Sequence, residues 1–242
     1  WGIDNFYNNI SEMIELEQPD VVSICTPSEF HYENLITVLT SKYPPRVVFL
    51  EKPVCSNKIE FHDTLKKLNT MKCKVLVNHI RRFCPGYNKV KDILRDGILG
   101  EFLEGSISYY GDWINNGCHI IDTVRMLFDS DIKVKSVIQR DFKEENKLFL
   151  NVNLLLDKKP LIIKVYDEKI FQLHECDFIY KKGRVKIIDF GAEIIVERVV
   201  TNDWNEKVLE GIEESPIKGL DSTIYHAVDK IADYLDGKSK LD

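Results

Sequence analysis

Val47-Val48-Phe49-Leu50-Glu51-Lys52-Pro53 is the stretch on which the fold turns. Four consecutive apolar residues, two of them β-branched, read as a strand buried on both faces. Such strands belong to parallel sheets covered by helices. The run stops at an acid, a base and a proline, so charged groups leave the strand at its carboxyl end, where open α/β sheets place their ligands. Lys52 is therefore the first candidate for chemistry. Glu-Lys-Pro after a strand is also the composition of a solvated turn, and the flanking sequence has to decide between the two.

On the amino-terminal side, Asp20-Val21-Val22-Ser23-Ile24-Cys25 repeats the buried-strand pattern and closes with Thr26-Pro27. A helical segment over residues 30–41 follows, with Leu35, Ile36 and Leu39 on one face, and a helix start is legible at Asn9-Ile10-Ser11-Glu12. Beyond Pro53, Asn57 and Glu60 form a capping-box pattern opening a helix that carries Phe61, Leu65 and Leu68; Lys74-Val75-Leu76-Val77-Asn78 is the next strand. Strands and helices alternating at these distances predict right-handed parallel crossovers, and hence a partial dinucleotide-binding (Rossmann) domain over residues 1–80.

The character then changes. A helix over 86–96 stopped by Gly97, an alternating strand over 101–110, a loop over 111–117 and a helix over 119–128 lead into strand-like segments. These run over 134–140, 148–156, 161–166, 171–176, 184–189 and 193–199, joined by short polar turns. A closing helix over 221–236 places Ile224, Val228, Ile231 and Leu235 on one stripe. Residues 81–242 thus predict an α+β domain with a large, mostly antiparallel sheet, suited to substrate binding and oligomerisation. The fold class is α/β with this second domain appended.

Composition narrows the partners. The 242 residues are 44% hydrophobic with a net charge of −6, a mildly acidic balance that argues against nucleic acid and against a polybasic membrane anchor. No apolar run approaches the ~20 residues that span a bilayer, and the start lacks a secretory pattern, so a cytoplasmic location is expected. The six cysteines include no Cys-x-x-Cys pair, which favours reduced thiols over a metal site.

Taken in order, several motifs resemble the Gfo/Idh/MocA family, which includes glucose–fructose oxidoreductase and inositol dehydrogenase. They are Asp20 to Pro27 with His31 beyond, Glu51-Lys52-Pro53, Arg81-Arg82-Phe83, Gly97 with Gly100, and Asn115-Asn116-Gly117-Cys118-His119-Ile120-Ile121-Asp122. The motif resemblance runs to about residue 130, and the strand-rich remainder agrees in architecture. One feature departs from it: the family's Gly-x-Gly-x-x-Gly turn is not found, and the chain reads as beginning after the first βαβ unit.

The resemblance implies an NAD- or NADP-dependent oxidoreductase that moves a hydride between a nicotinamide cofactor and a sugar or nucleotide-sugar hydroxyl or carbonyl. Two alternatives stand beside it: hydride-assisted elimination or glycosidic cleavage, and a non-catalytic sugar-binding or oligomeric relative. By the same resemblance Lys52 and His119 are the catalytic pair, with Asn115 where some family members carry aspartate, which leans towards a nucleotide-linked sugar. Thr26, Pro27, His31, Glu51, Lys52 and Pro53 are expected at the cofactor, and Arg81, Arg82 and Asp122 at the substrate. A surface or capping role is the plainer alternative for His31, His119, Asp122 and the two arginines. A large sheet with few covering helices further predicts a homodimer or homotetramer.

Overall fold

The computed structural model describes every residue except Trp1, Ile3, Glu214, Ser215 and Asp242. Its contacts divide the chain into two units, one formed by Trp1–His79 with Tyr225–Asp242 and the other by Ile80–Ile224.

In the first unit, α1 (Ile10–Glu17) begins where Asn9 accepts hydrogen bonds from the N–H groups of Ser11 and Glu12. β1 (Val21–Ile24) is followed by a short 3-10 turn, Ser28–Phe30, which runs directly into α2 (His31–Leu39). Next come β2 (Val47–Leu50), α3 (Lys58–Leu68) and β3 (Lys74–Val77). The three strands form a parallel sheet in the order β1-β2-β3, in the register Val22, Val48, Val75. All four residues of β2 are buried, as an apolar run at the centre of a covered sheet requires. Ile14 and Leu35, Val38 and Leu39 pack from the helices onto Val48 and Leu50. The capping box is formed: Asn57 accepts from the N–H groups of Ile59 and Glu60, and Glu60 reaches back to the Ser56 N–H at 2.8 Å.

The second unit opens with α4 (Pro85–Arg95), which Gly97 ends in the left-handed region at φ +70°. β4 (Phe102–Tyr110), a π-helical turn Trp113–Gly117 and α5 (Cys118–Leu127) follow. The sheet is completed by β5 (Ile132–Arg140), β6 (Phe149–Leu156), β7 (Lys159–Tyr166), β8 (Glu175–Tyr180), β9 (Gly183–Ile188), β10 (Glu193–Thr201), β11 (Lys207–Gly211) and β12 (Ile217–Lys218). These nine strands lie in the order β11-β10-β9-β8-β4-β7-β6-β5, with β12 on β10, and only β4 and β7 pair in parallel. Ile107, Phe178, Val185, Ile194 and Leu161 put one face of the sheet into a core shared with Tyr87 and Val90 of α4 and Ile120 and Val124 of α5. The opposite face carries polar and charged side chains such as Ser106, Asp177 and Arg184. β5 is an edge strand, and from Lys133 to Arg140 every residue is exposed.

α6 (Thr223–Leu235) closes the chain and groups with the first unit, not with the residues that precede it in sequence. Arg46 there donates to the Leu235 carbonyl at 2.9 Å, a link that no local pattern encodes. Three other expectations need correction. The strand expected over 171–176 lies at Glu175–Tyr180 instead, because Ile170 and Phe171 are exposed beside a turn in which Asp167 accepts from the Lys169 N–H. The expected loop over 111–117 contains a helical turn, capped by the Asp112 carboxylate accepting from the Asn115 N–H at 3.0 Å. β11 and β12 were not anticipated, since neither buries a face that would leave an alternating pattern.

Candidate functional site

The three parallel strands of the first unit release their loops at one edge. The ladder continues past the strand ends, with Glu51 N–H donating to the Ile24 carbonyl at 3.0 Å and Asn78 N–H to the Leu50 carbonyl at 2.7 Å. Thr26-Pro27, Glu51-Lys52-Pro53 and Asn78-His79 therefore leave the sheet side by side. His31, the first residue of α2, is 1% exposed and ties two of these loops together. Its Nδ1 lies 2.6 Å from the Pro53 carbonyl and its Nε2 lies 2.8 Å from the Thr26 carbonyl. Both partners only accept, so a doubly protonated ring donates to both and a neutral ring to one. Asn34 adds a bond to the Thr26 hydroxyl, and the Lys52–Pro53 peptide is cis.

Between the second and third loops, Asn78 donates through Nδ2 to Glu51 Oε1 at 2.5 Å. Asn78 is 4% exposed, and its Oδ1 meets no hydrogen-bond donor among the described residues. Lys52 and Glu51 are half-buried. A cavity of about 820 Å³ between Ser41, Arg46, Met71 and Tyr234 lies at the opposite, amino edge of the sheet and touches none of these residues.

The remaining candidates lie in the second unit. Asn115 is exposed in the π-helical turn, and His119 is the second residue of α5, half-buried, with its carbonyl accepting from Thr123 Oγ1. Asp122 is one turn further along the same helix face and pairs with Arg82, Nε to Oδ1 at 2.8 Å. Arg81 turns the other way. It is 6% exposed, donates through Nε to the Tyr87 hydroxyl at 3.1 Å and through Nη2 to the Phe190 carbonyl at 3.4 Å, and Nη2 also lies 3.3 Å from His174 Nε2. It has no carboxylate partner among the described residues. Burial first, then the Arg81 and His119 charges, push His174 down to about 3, so this ring is neutral at physiological pH. Arg81 and Tyr87 together hold the turn Asp189-Phe190-Gly191, whose φ values are 48°, 55° and 90°. Side chains rarely adopt this backbone, so the two bonds offset its strain.

Two residues escaped the sequence reading. Asn78 reads in sequence only as the end of a strand. His174 falls one alternation before Cys176, Phe178 and Tyr180, so the period-two pattern of the true β8 marks it as inward-facing.

A parallel sheet with polar and charged loops at its carboxyl edge has the form in which open α/β sheets bind their ligands. Residues 1–79 match the family model described as "Oxidoreductase family, NAD-binding Rossmann fold", that of Gfo/Idh/MocA. Over these residues the chain resembles that family, as its motifs predict. The chain is similar to D-glucoside 3-dehydrogenase of Escherichia coli, 30% identical over 42% of this chain and 28% of that protein. It is also similar to myo-inositol 2-dehydrogenase of Thermotoga maritima, 25% identical over 41% of this chain and 29% of that protein. The matched stretches thus span under a third of these curated relatives. Among solved structures, the fold matches KijD10, a 3-ketoreductase from Actinomadura kijaniata in complex with NADP, with a TM-score of 0.69 at 15% identity over 91% of this chain and 71% of that one. The loop chemistry fits a nicotinamide cofactor: Glu51 supplies an accepting carboxylate and Lys52 a positive charge at the edge where such sheets bind nucleotides.

Proposed function

We propose that the protein is an NAD(P)-dependent oxidoreductase that interconverts a hydroxyl and a carbonyl on a sugar or nucleotide-linked sugar. The observation that carries this reading is the Glu51-Lys52-Pro53 loop at the carboxyl end of β2, fixed through Pro53 by the buried His31. When bound, the nicotinamide supplies the hydride chemistry. The chain's own residues do the rest. The Lys52 ammonium donates a hydrogen bond to the reacting oxygen and stabilises negative charge developing there. His119 takes the hydroxyl proton and returns it in the reverse direction. Thr26, Pro27, His31, Glu51 and Pro53 shape the cofactor side, Asn115 stands with the catalytic pair, and Asp122 and Arg82 serve the substrate side. The Arg82–Asp122 pair presents a guanidinium held in one orientation.

The named activities of the similar dehydrogenases support a sugar substrate, and Asn115 supports a nucleotide-linked one. A cytoplasmic location belongs to the same reading, and the broad open sheet face supports assembly into a homodimer or homotetramer.

The test is absorbance at the reduced-nicotinamide band with NAD and NADP against a panel of free and nucleotide-linked sugars. Hydride transfer to cofactor with at least one sugar is expected. Substrate turnover on bound cofactor with no net reduction would instead indicate hydride-assisted elimination, and no cofactor binding at all would overturn the reading.

A further inference from the structure

Asn115 and His119 stand upstream of the residues that anchor their helix. The core contacts of α5 begin at Ile120 and continue through Val124 to Leu127, and they fix the axis of the helix. Of residues 113–119 only Gly117 is buried, so hydrophobic packing does little to place Asn115. The π-helical turn Trp113–Gly117 runs directly into α5 at Cys118, so whatever orients the turn also orients the first turn of the helix, where His119 lies. Single π-helical turns are rare and recur at functional sites.

One carboxylate ties this turn to the sheet. Asp112, half-buried just ahead of it, accepts from the Asn115 N–H at 3.0 Å through Oδ2 and from the Leu148 N–H at 2.7 Å through Oδ1. The Trp113 N–H donates in return to the Leu148 carbonyl at 2.6 Å. Both backbone groups of Leu148, the residue ahead of β6, are thus bound to the turn. A carboxylate suits this place because both of its oxygens accept, and bonds from N–H groups to a charged acceptor are about twice as strong as neutral ones. Asparagine there would accept once and set its own amide hydrogens against the second N–H. Asn116 Nδ2 donates to the Tyr110 carbonyl at 2.8 Å and the Trp113 ring packs edge-on against Tyr109, which fixes the neighbours of Asn115 while Asp112 fixes Asn115 itself. Resting on the proposed reaction, in which Asn115 and His119 serve, we infer that Asp112 is a positioning residue: by clamping the π-helical turn to the backbone of Leu148 it sets where the Asn115 amide and the His119 imidazole stand. The clamp is made before any ligand arrives, so the site does not have to be ordered at the moment of binding.

Two variants, Asp112→Ala and Asp112→Asn, are compared with the unaltered protein, with kcat taken per folded molecule from the urea midpoint of each. Asp112→Ala is expected to lower kcat for the sugar about 100-fold, the scale of a displacement of roughly 1 Å, while its sugar KM and cofactor affinity stay within about threefold. Asp112→Asn keeps one of the two acceptors and is expected to recover about 10-fold of that loss, the size of one hydrogen bond. Near-parental kcat in Asp112→Ala overturns the assignment, and so do a loss shared by KM and cofactor affinity or an asparagine variant no better than the alanine one. A second readout needs no substrate: the His119 imidazole, followed by NMR across pH in the unaltered protein and both variants. The two variants remove the same charge, so an Asp112→Ala titration displaced beyond that of Asp112→Asn reports movement of the ring, and identical titrations in the two overturn the assignment. If the unaltered protein reduces no cofactor with any sugar, the oxidoreductase reading falls, and the NMR comparison decides the placing of the turn by itself.

Discussion

Arg81 Nη2 lies 3.3 Å from His174 Nε2, and a guanidinium has only donors, so the imidazole meets it as an acceptor with its own proton on Nδ1. Protonating this ring would set two buried cations against each other. Burial first, and this repulsion second, hold the His174 pKa down to about 3.

A pH dependence follows. The unfolded ring titrates near ~6.5 and the folded one near 3, so between those values the unfolded chain binds a proton that the folded chain does not. Stability from this group is complete above ~6.5 and is lost as the pH falls, by up to ~1.4 kcal/mol per unit. Urea denaturation at pH 7.5, 6.0 and 5.0 should show this loss, and His174→Asn, which retains an acceptor for Arg81, should flatten it. Parallel pH profiles for the two proteins would show that His174 is not the group responsible.

Lys52→Met keeps much of the aliphatic stem and removes the charge, while His119→Asn removes the base and keeps hydrogen-bonding capacity. Each is expected to lower kcat by roughly 10²–10⁴-fold with little change in cofactor affinity. If the two serve one reaction, the double variant should lose far less than the product of the single losses. Near-normal turnover in either single variant, or losses that multiply fully, would remove that residue pair from the mechanism.

His31→Leu removes both contacts that join the Thr26 and Pro53 carbonyls and leaves two acceptors facing an apolar group. A stability loss of about 2–4 kcal/mol is expected, read as a lower midpoint in urea with an unchanged slope. Cofactor affinity should fall with it, because the loops on either side lose their common tie. Stability within about 0.5 kcal/mol of the parent would mean that the loops hold their shape without the ring.

Sedimentation velocity at micromolar concentration should show a dimer or larger species, given a nine-stranded sheet with helices on one face. A single monomer boundary across a hundredfold concentration range would count against assembly.

The first unit was legible almost residue by residue because its signals are local. The β2 run is apolar from Val47 to Leu50 and is buried throughout, and Asn57 and Glu60 close the capping box that their spacing announces. In the second unit the hydrophobicity of Phe171 points to the wrong segment, since exposed apolar side chains carry the same letters as buried ones. The true β8 alternates faithfully, but its buried phase carried one step before the strand falls on His174, whose environment is made by Arg81 from far along the chain. The candidate site divided in the same way. Residues beside a strand end, such as Glu51 and Lys52, are found by reading the strand. Asn78 matters through its bond to Glu51, a pairing between neighbouring strands that a linear reading does not display.

β5 offers one free margin of hydrogen-bonding groups nine residues long, with Val134, Val137 and Ile138 exposed at 65%, 52% and 55%. Left bare, such a margin recruits any other extended chain, including a half-folded copy of itself. Lys133, Lys135 and Arg140 stand along it and make like-with-like stacking electrostatically unfavourable. Their job is therefore exercised mainly when the protein is crowded or newly made, and neutralising them would change how much protein survives to fold while leaving the fold that survives unaltered.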